Sequence, residues 1–368
     1  MPVKKSDLWK LDKNMKLKGN SLKGIKWLDP KERPFVVSGF GWFEKEKIFR
    51  RLPVKPQWKV ADAVNSLANC TSGAQIRFQT NSKRVAIRVL LSGVAGMHHM
   101  PATGVGGFDC YIGAPGKKKY LGTTVFHHAK DSYEYLFFTI NKRDTKNITL
   151  NFPLYMGVKA VLVGVDTGSK VLPPLPYKND KKVIIYGTSI TQGGCASRPG
   201  MAFTNILSRR FNYEFINLGF SGNGRGEPEL AKLILEIDNP GCFILDYEAN
   251  CGSFEQFEKS LPEFISILRS KYAKIPILVI TKVRYATESI SDSLSKRLTR
   301  LKFQKKLIAC LKKKGDKNIS LLDASNLLGK DFHECSVDGG HPTDLGFMRM
   351  ANGIEPVLRK ILGKLWIR

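Results

Sequence analysis

The chain reads as an all-β sandwich of jelly-roll type followed by an α/β domain built on a five-stranded, doubly wound parallel sheet. Three observations predict this. Up to about residue 165 the apolar residues come in short, partly alternating runs separated by turn signals, as antiparallel strands do. Beyond about residue 180 they come in continuous β-branched runs alternating with helical periods, as in strands covered on both faces. Between the two lies Val171 to Tyr177 (VLPPLPY), a stretch stiffened by proline. A length of 368 residues suits two domains, and 42% apolar with 25% charged residues is ordinary for a globular chain.

Residues 1–33 are lysine-rich, with scattered Trp9, Leu17 and Trp27, and read as an irregular arm over the first domain. The sandwich spans 34–177. Its strands are expected at Phe35–Val37, Trp42–Phe43, Gln75–Gln79, Arg84–Leu91, Phe108–Ile112, Tyr120–Phe126, Tyr135–Ile140, Asn147–Phe152 and Val158–Val165. Asn81-Ser82, Gly113 to Lys117 and Lys142 to Asp144 supply turns. The α/β domain spans 178–368, with strands at Val183–Tyr186, Phe215–Leu218, Cys242–Asp246, Ile277–Thr281 and Ile319–Asp323. Helices fall at Met201–Phe211, Glu229–Ile237, Phe254–Lys271, Ser289–Lys314 and Asp344 to about Ile361.

Bulk properties exclude several classes. The formal charge is +27, but the lysines are spread along the chain and no helix-turn-helix, zinc finger or aromatic-basic RNA motif occurs. A specific nucleic-acid partner is not expected; the overall positive field leaves attraction to anionic polymers or lipid surfaces open. No run of about 18 apolar residues suggests a membrane span. The basic amino terminus lacks the apolar core of a secretory signal, so a cytoplasmic location is expected. Seven cysteines without a CxxC suggest buried thiols in a reducing compartment, with neither zinc site nor disulfide framework. The pairs His98-His99 and His127-His128 would face opposite sides of a strand, which suits structural or surface roles better than shared metal ligation. The oligomeric state is left open, a homo-oligomer included.

Chemistry gathers where strands end. In Lys182 to Ser197 (KVIIYGTSITQGGCAS) an apolar strand runs into Gly187-Thr188-Ser189 and then a helix, which places the Ser189 hydroxyl at the carboxyl edge of the sheet. By itself this also suits a phosphate loop or a helix cap, although no Gly-Lys-Ser/Thr follows. After the second strand comes Gly219-Phe220-Ser221-Gly222-Asn223-Gly224, where glycines let backbone N–H groups approach a ligand. After the third comes Glu248-Ala249-Asn250, whose amide can donate to a developing negative oxygen or simply support a turn. Before the last helix stands Asp338-Gly339-Gly340-His341-Pro342. The two glycines let the chain curl so that the carboxylate meets imidazole Nδ1 and leaves Nε2 for a serine proton.

Other placements are open. Asp246 or Glu248 can orient His341 or contact substrate, His333 is a weaker base candidate, and Asp323 a third-member candidate in a different topology. Arg198, Arg225 and Arg284 lie near strand ends, where they grip an anionic substrate or are merely solvated.

Ser189, Gly222, Asn250 and His341, in this order on a five-strand α/β pattern, resemble the SGNH hydrolases, also called the GDSL esterase/lipase family. Thr188 replaces the usual Asp of the first block, and Glu-Ala-Asn-Cys stands for the usual Gly-x-Asn-Asp of the third. The resemblance covers residues 182–368, and a β-sandwich ahead of such a domain is similar to two-domain carbohydrate-esterase-like and acyltransferase-like members. It implies a serine esterase without metal or organic cofactor: Ser189 as nucleophile, His341 as base, Asp338 as orienter, and an oxyanion hole from Ser189, Gly222 and Asn250. Glu248, Asn223 and Arg225 are candidate substrate contacts. The expected substrate is a small-molecule or oligosaccharide ester, above all an acetylated carbohydrate. The same triad also serves acyltransferases, lipases and thioesterases, and a non-catalytic carbohydrate-binding protein is the remaining alternative.

Overall fold

In the second domain, one strand periodicity builds two cores. Val183 and Ile185 point to one face of the sheet, and Ile184 and Tyr186 to the other. A computed structural model describes residues 22–363. The parallel strands run β12-β11-β13-β14-β15: β11 (Lys182–Gly187), β12 (Glu214–Gly219), β13 (Pro240–Asp246), β14 (Ile277–Ile280) and β15 (Ile319–Leu322). The chain leaves β11 for β12 on one side and then crosses to β13 on the other. The carboxyl end of β11 is therefore a topological switch point, where open α/β sheets keep their ligands.

The front domain contributes ten strands: β1 (Ile25–Leu28), β2 (Val36–Ser38), β3 (Gln75–Thr80), β4 (Arg84–Leu91), β5 (Asp109–Ile112), β6 (Lys119–Thr123), β7 (Ser132–Thr139), β8 (Lys146–Asn151), β9 (Val158–Asp166) and β10 (Val171–Leu172). They form two antiparallel sheets, β1-β9-β4-β7 and β10-β3-β8-β5-β6 with β2 beside β3. Phe78, Ile87, Phe108, Leu150, Phe152 and Val163 fill the space between.

Helices among the described residues are α1 (Phe43–Glu46), α2 (Asp62–Leu67), α3 (Ala102–Val105), α4 (Ser189–Gln192), α5 (Phe203–Phe211), α6 (Pro228–Ile234), α7 (Phe254–Lys271), α8 (Ser293–Lys313) and α9 (Asp344–Gly363). Phe203, Ile206 and Leu207 of α5 and Phe347, Met350 and Ile354 of α9 cover the Val183 face; Leu230 of α6, Leu261 and Phe264 of α7 and Ile308 of α8 cover the Ile184 face. Among the described residues no helix is long and apolar enough to cross a membrane.

Four local expectations change. The arm lies outside the described residues up to residue 21, and its end is an edge strand, not irregular chain. Gly164 on β9 permits this, because a Cβ there would come within 2.7 Å of Ile25 and 2.8 Å of Trp27. Trp42–Phe43 is not a strand: Phe43 opens α1 and stacks on Phe49, while Trp42 Nε1 donates to Glu236 across the domain boundary at 3.0 Å. The α8 helix starts later than its pattern suggests, since Ala286–Ser289 closes a separate 3-10 turn through Glu288. The proline-rich stretch lies along the front sheet: Val171–Leu172 pairs with β3, and the Pro173 and Leu175 carbonyls accept from Gln79 and Arg77.

Candidate active site

The turn after β11 is tight because the glycines that end β11 and β12 leave no room for side chains. A Cβ on Gly187 would sit 2.0 Å from Thr191 Oγ1, and one on Gly219 would sit 2.3 Å from the Gln192 nitrogen. Helix α4 is therefore pressed onto the ends of β11 and β12, with Thr188 as its N-cap accepting from the Ile190 N–H at 3.3 Å. Ser189 opens the helix, 8% exposed.

The front domain braces this turn. Tyr155 donates its hydroxyl to the Ser189 carbonyl at 3.2 Å, and Ser72 donates to the Gln192 carbonyl at 2.6 Å. Thr103 donates to the Ser197 carbonyl at 2.6 Å, and Gly104 of α3 packs directly on the Ala196 carbonyl.

The carboxyl-terminal loop meets the turn. Ser189 Oγ lies 2.8 Å from His341 Nε2, and His341 Nδ1 lies 2.6 Å from Asp338 Oδ2. Asp338 Oδ1 accepts the N–H groups of Gly340 at 3.0 Å and His341 at 2.7 Å. The loop is pinned further by Ala286 N–H to the Gly339 carbonyl and by a bridge between Ser336 and Pro342. Burial opposes charge on Asp338, but these N–H groups and the imidazole outweigh it and hold the carboxyl at about 2. An ionised carboxylate only accepts, so it selects the tautomer with the proton on Nδ1. The Nε2 lone pair then faces the serine hydroxyl, which is the arrangement that activates a nucleophile.

Two further turns stand beside this one. Phe220 N–H donates to the Gly187 carbonyl at 3.0 Å, joining the second block to the end of β11. Asn250 Nδ2 donates to the Phe220 carbonyl at 3.2 Å, joining the third block to the second. Gly222 has φ +68°, with nothing within 4 Å of where a Cβ would be. The N–H groups of Ser189 and Gly222 donate to no acceptor among the described residues.

The other candidates have internal partners. Asn223 closes its own turn onto the Ser221 carbonyl at 2.8 Å, and the Arg225 side chain folds back to the Gly222 carbonyl at 3.1 Å. Glu248 is 3% exposed, its carboxylate turned inward to the Lys282 N–H and the Gln304 amide, each at 2.8 Å. Asp246 accepts from the Thr191 hydroxyl rather than from imidazole. His333 lies on the surface beside Glu334, and Asp323 bonds Ser325 and Lys305. Arg198 is paired with Asp109 and Tyr111, and Arg284 stacks on Phe332.

Sequence reasoning passed over Tyr155 and gave His99 a structural or surface role. The His98 and His99 rings do not face apart; they stack in the loop between β4 and α3, and His99 meets the His341 ring edge-on at 5.8 Å. Strand alternation does not govern a loop, and no local signal announces a contact made across a domain boundary.

Residues 180–359 match the GDSL-like lipase/acylhydrolase family, and residues 25–171 match the N-terminus of SGNH-hydrolase-type esterases. The crystal structure of a GDSL-like lipase from Bacteroides ovatus ATCC 8483 is 31% identical, with a TM-score of 0.83 over 92% of this chain and 98% of that one. A salicylyl-acyltransferase from a tetracycline biosynthetic pathway is 18% identical, with a TM-score of 0.73 over 94% of this chain and 98% of that one. A family two carbohydrate esterase from Clostridium thermocellum, in complex with cellohexaose, is 14% identical, with a TM-score of 0.57 over 79% of this chain and 93% of that one. No curated protein matches.

Proposed function

Because the chain belongs to the GDSL-like lipase/acylhydrolase family, we propose that it is a serine esterase that removes a small acyl group, acetyl above all, from a carbohydrate. The observation that carries this is the unbroken relay from Ser189 Oγ through both imidazole nitrogens to Asp338, at 2.8 and 2.6 Å. Ser189 Oγ attacks the acyl carbon while His341 Nε2 takes its proton. The Ser189 and Gly222 N–H groups and the Asn250 amide receive the oxyanion, each worth roughly 3–4 kcal/mol of barrier. His341 returns the proton to the leaving alkoxide, and water then releases the acid by the same steps in reverse. Asp338 keeps Nδ1 protonated and stabilises the imidazolium.

The acyl group is taken as small because Ser189 is nearly covered and the front domain crowds its turn through Tyr155 and α3. The carbohydrate follows the shared architecture of the family two esterases. The same cover over Ser189 also suits transfer of the acyl group to an acceptor, which is the reaction named for the acyltransferase neighbour. Rates on p-nitrophenyl esters of rising chain length, with and without a sugar acceptor, test the reading. Short-chain hydrolysis supports an acetylesterase, acceptor-dependent turnover supports transfer, and long-chain preference refutes the small-acyl claim.

A further inference from the structure

The loop that carries His98 and His99 leaves the front domain and ends against the His341 ring. From the other side the buried Cys195 follows the nucleophile turn. One ligand atom from each of His99, Cys195 and His341 lies within 4.8 Å of the other two. Two details single the cluster out. His99 Nδ1 is buried with no hydrogen-bond partner, although such a nitrogen normally has one. Cys195 stands at φ +74°, a backbone conformation that disfavours a side chain and persists only where the surroundings impose it. His341 Nδ1 is occupied by Asp338, so Nε2 is the atom it offers.

We infer that His99, Cys195 and His341 form a binding site for a zinc-class divalent ion, and that the bound ion switches the active site off by taking the His341 lone pair that the Ser189 proton needs. Imidazole and thiolate donors favour zinc, cadmium or cobalt over magnesium or calcium. Bond lengths of about 2.0–2.1 Å to nitrogen and 2.3 Å to sulfur put tetrahedral ligand atoms roughly 3.3–3.6 Å apart. Closing on an ion therefore needs the three ligand atoms, now within 4.8 Å of one another, to draw together by about an ångström. Two imidazoles and one thiolate leave the fourth position to water. Asp338 behind His341 Nδ1 completes a carboxylate–histidine–metal series, which strengthens the ligand. The thiol and the ion exchange a proton for a bond: Cys195 Sγ loses H⁺ to solvent as the metal–sulfur bond forms.

The inhibitory half rests on the esterase reading; the binding half does not. Cobalt(II) is titrated into the whole protein and the near-ultraviolet thiolate-to-metal absorption is followed. A band that zinc displaces is expected in the wild type and in Cys310→Ser, which removes the exposed thiol. It should vanish in Cys195→Ser and need at least tenfold more cobalt in His99→Ala. In parallel, zinc should slow p-nitrophenyl acetate hydrolysis by the wild type and by Cys310→Ser, EDTA should restore it, and Cys195→Ser and His99→Ala should resist zinc when each is compared with its own metal-free rate. No band, or an equal band in Cys195→Ser, overturns the site. A band with hydrolysis indifferent to zinc overturns the switch. A band in a protein with no esterase activity upholds the site and overturns the esterase reading.

Discussion

Asp338 holds His341 twice: one carboxylate oxygen meets Nδ1 at 2.6 Å and the other accepts the backbone N–H of the same residue at 2.7 Å. One side chain thus sets the tautomer of the ring and the curl of the loop that presents it. Asp338→Asn offers Nδ1 an amide that can also donate, which admits the wrong tautomer. A fall in kcat of roughly 10²- to 10⁴-fold is expected with little change in KM. Steady-state kinetics on a short ester check this, and a loss under about tenfold contradicts it.

Asn250 is predicted to act only when charge builds on the substrate oxygen. Asn250→Ala should lower kcat by about 10²- to 10³-fold and leave KM nearly unchanged. An equal change confined to KM would move Asn250 from oxyanion stabilisation to ground-state binding.

Arg51 joins the domains behind the site. It is 0% exposed and donates to the Leu67, Cys70, Asn217 and Gly219 carbonyls, while its guanidinium lies over Phe220. Burial lowers its pKa to about 10, so it remains charged at neutral pH. Arg51→Met takes a donor from each of these carbonyls, of which only that of Leu67 is shown to keep another, the Cys70 N–H, and should cost about 3–5 kcal/mol. Denaturant unfolding measures it, and a loss below about 1 kcal/mol would show that the carbonyls find other partners.

Asp246 gives stability a pH dependence. Burial raises its carboxyl from 3.8 to about 7; the Thr191 hydroxyl opposes the shift and the charge on Glu248 adds to it. The folded chain keeps the proton that the unfolded chain releases from pH 3.8 upward. The contribution to stability is therefore full below that value and is lost as pH rises through about 7. Asp246→Asn should flatten this decline, measured as the difference in Tm between about pH 4 and about pH 8. An unchanged difference would contradict the assignment.

Much of the site was legible because its parts are local. A strand, a glycine, a hydroxyl and a helix stand together around Ser189, and Asp338 reaches His341 within one turn. Glu248 was legible as a residue at a strand end but not as an inward-facing one. Its partners, the Lys282 backbone and Gln304 of α8, are distant in sequence. Tyr155, His99 and Arg51 escaped for the same reason: each acts across the boundary between the two domains, where neither period nor spacing carries information.

The relay from Ser189 to His341 is tested most directly by intact-mass analysis after reaction with a fluorophosphonate. One phosphonyl group is expected on Ser189 in the wild type, none in Ser189→Ala, and labelling slowed at least a hundredfold in His341→Ala. A wild-type protein that stays unmodified, or an adduct on any other residue, would contradict the account.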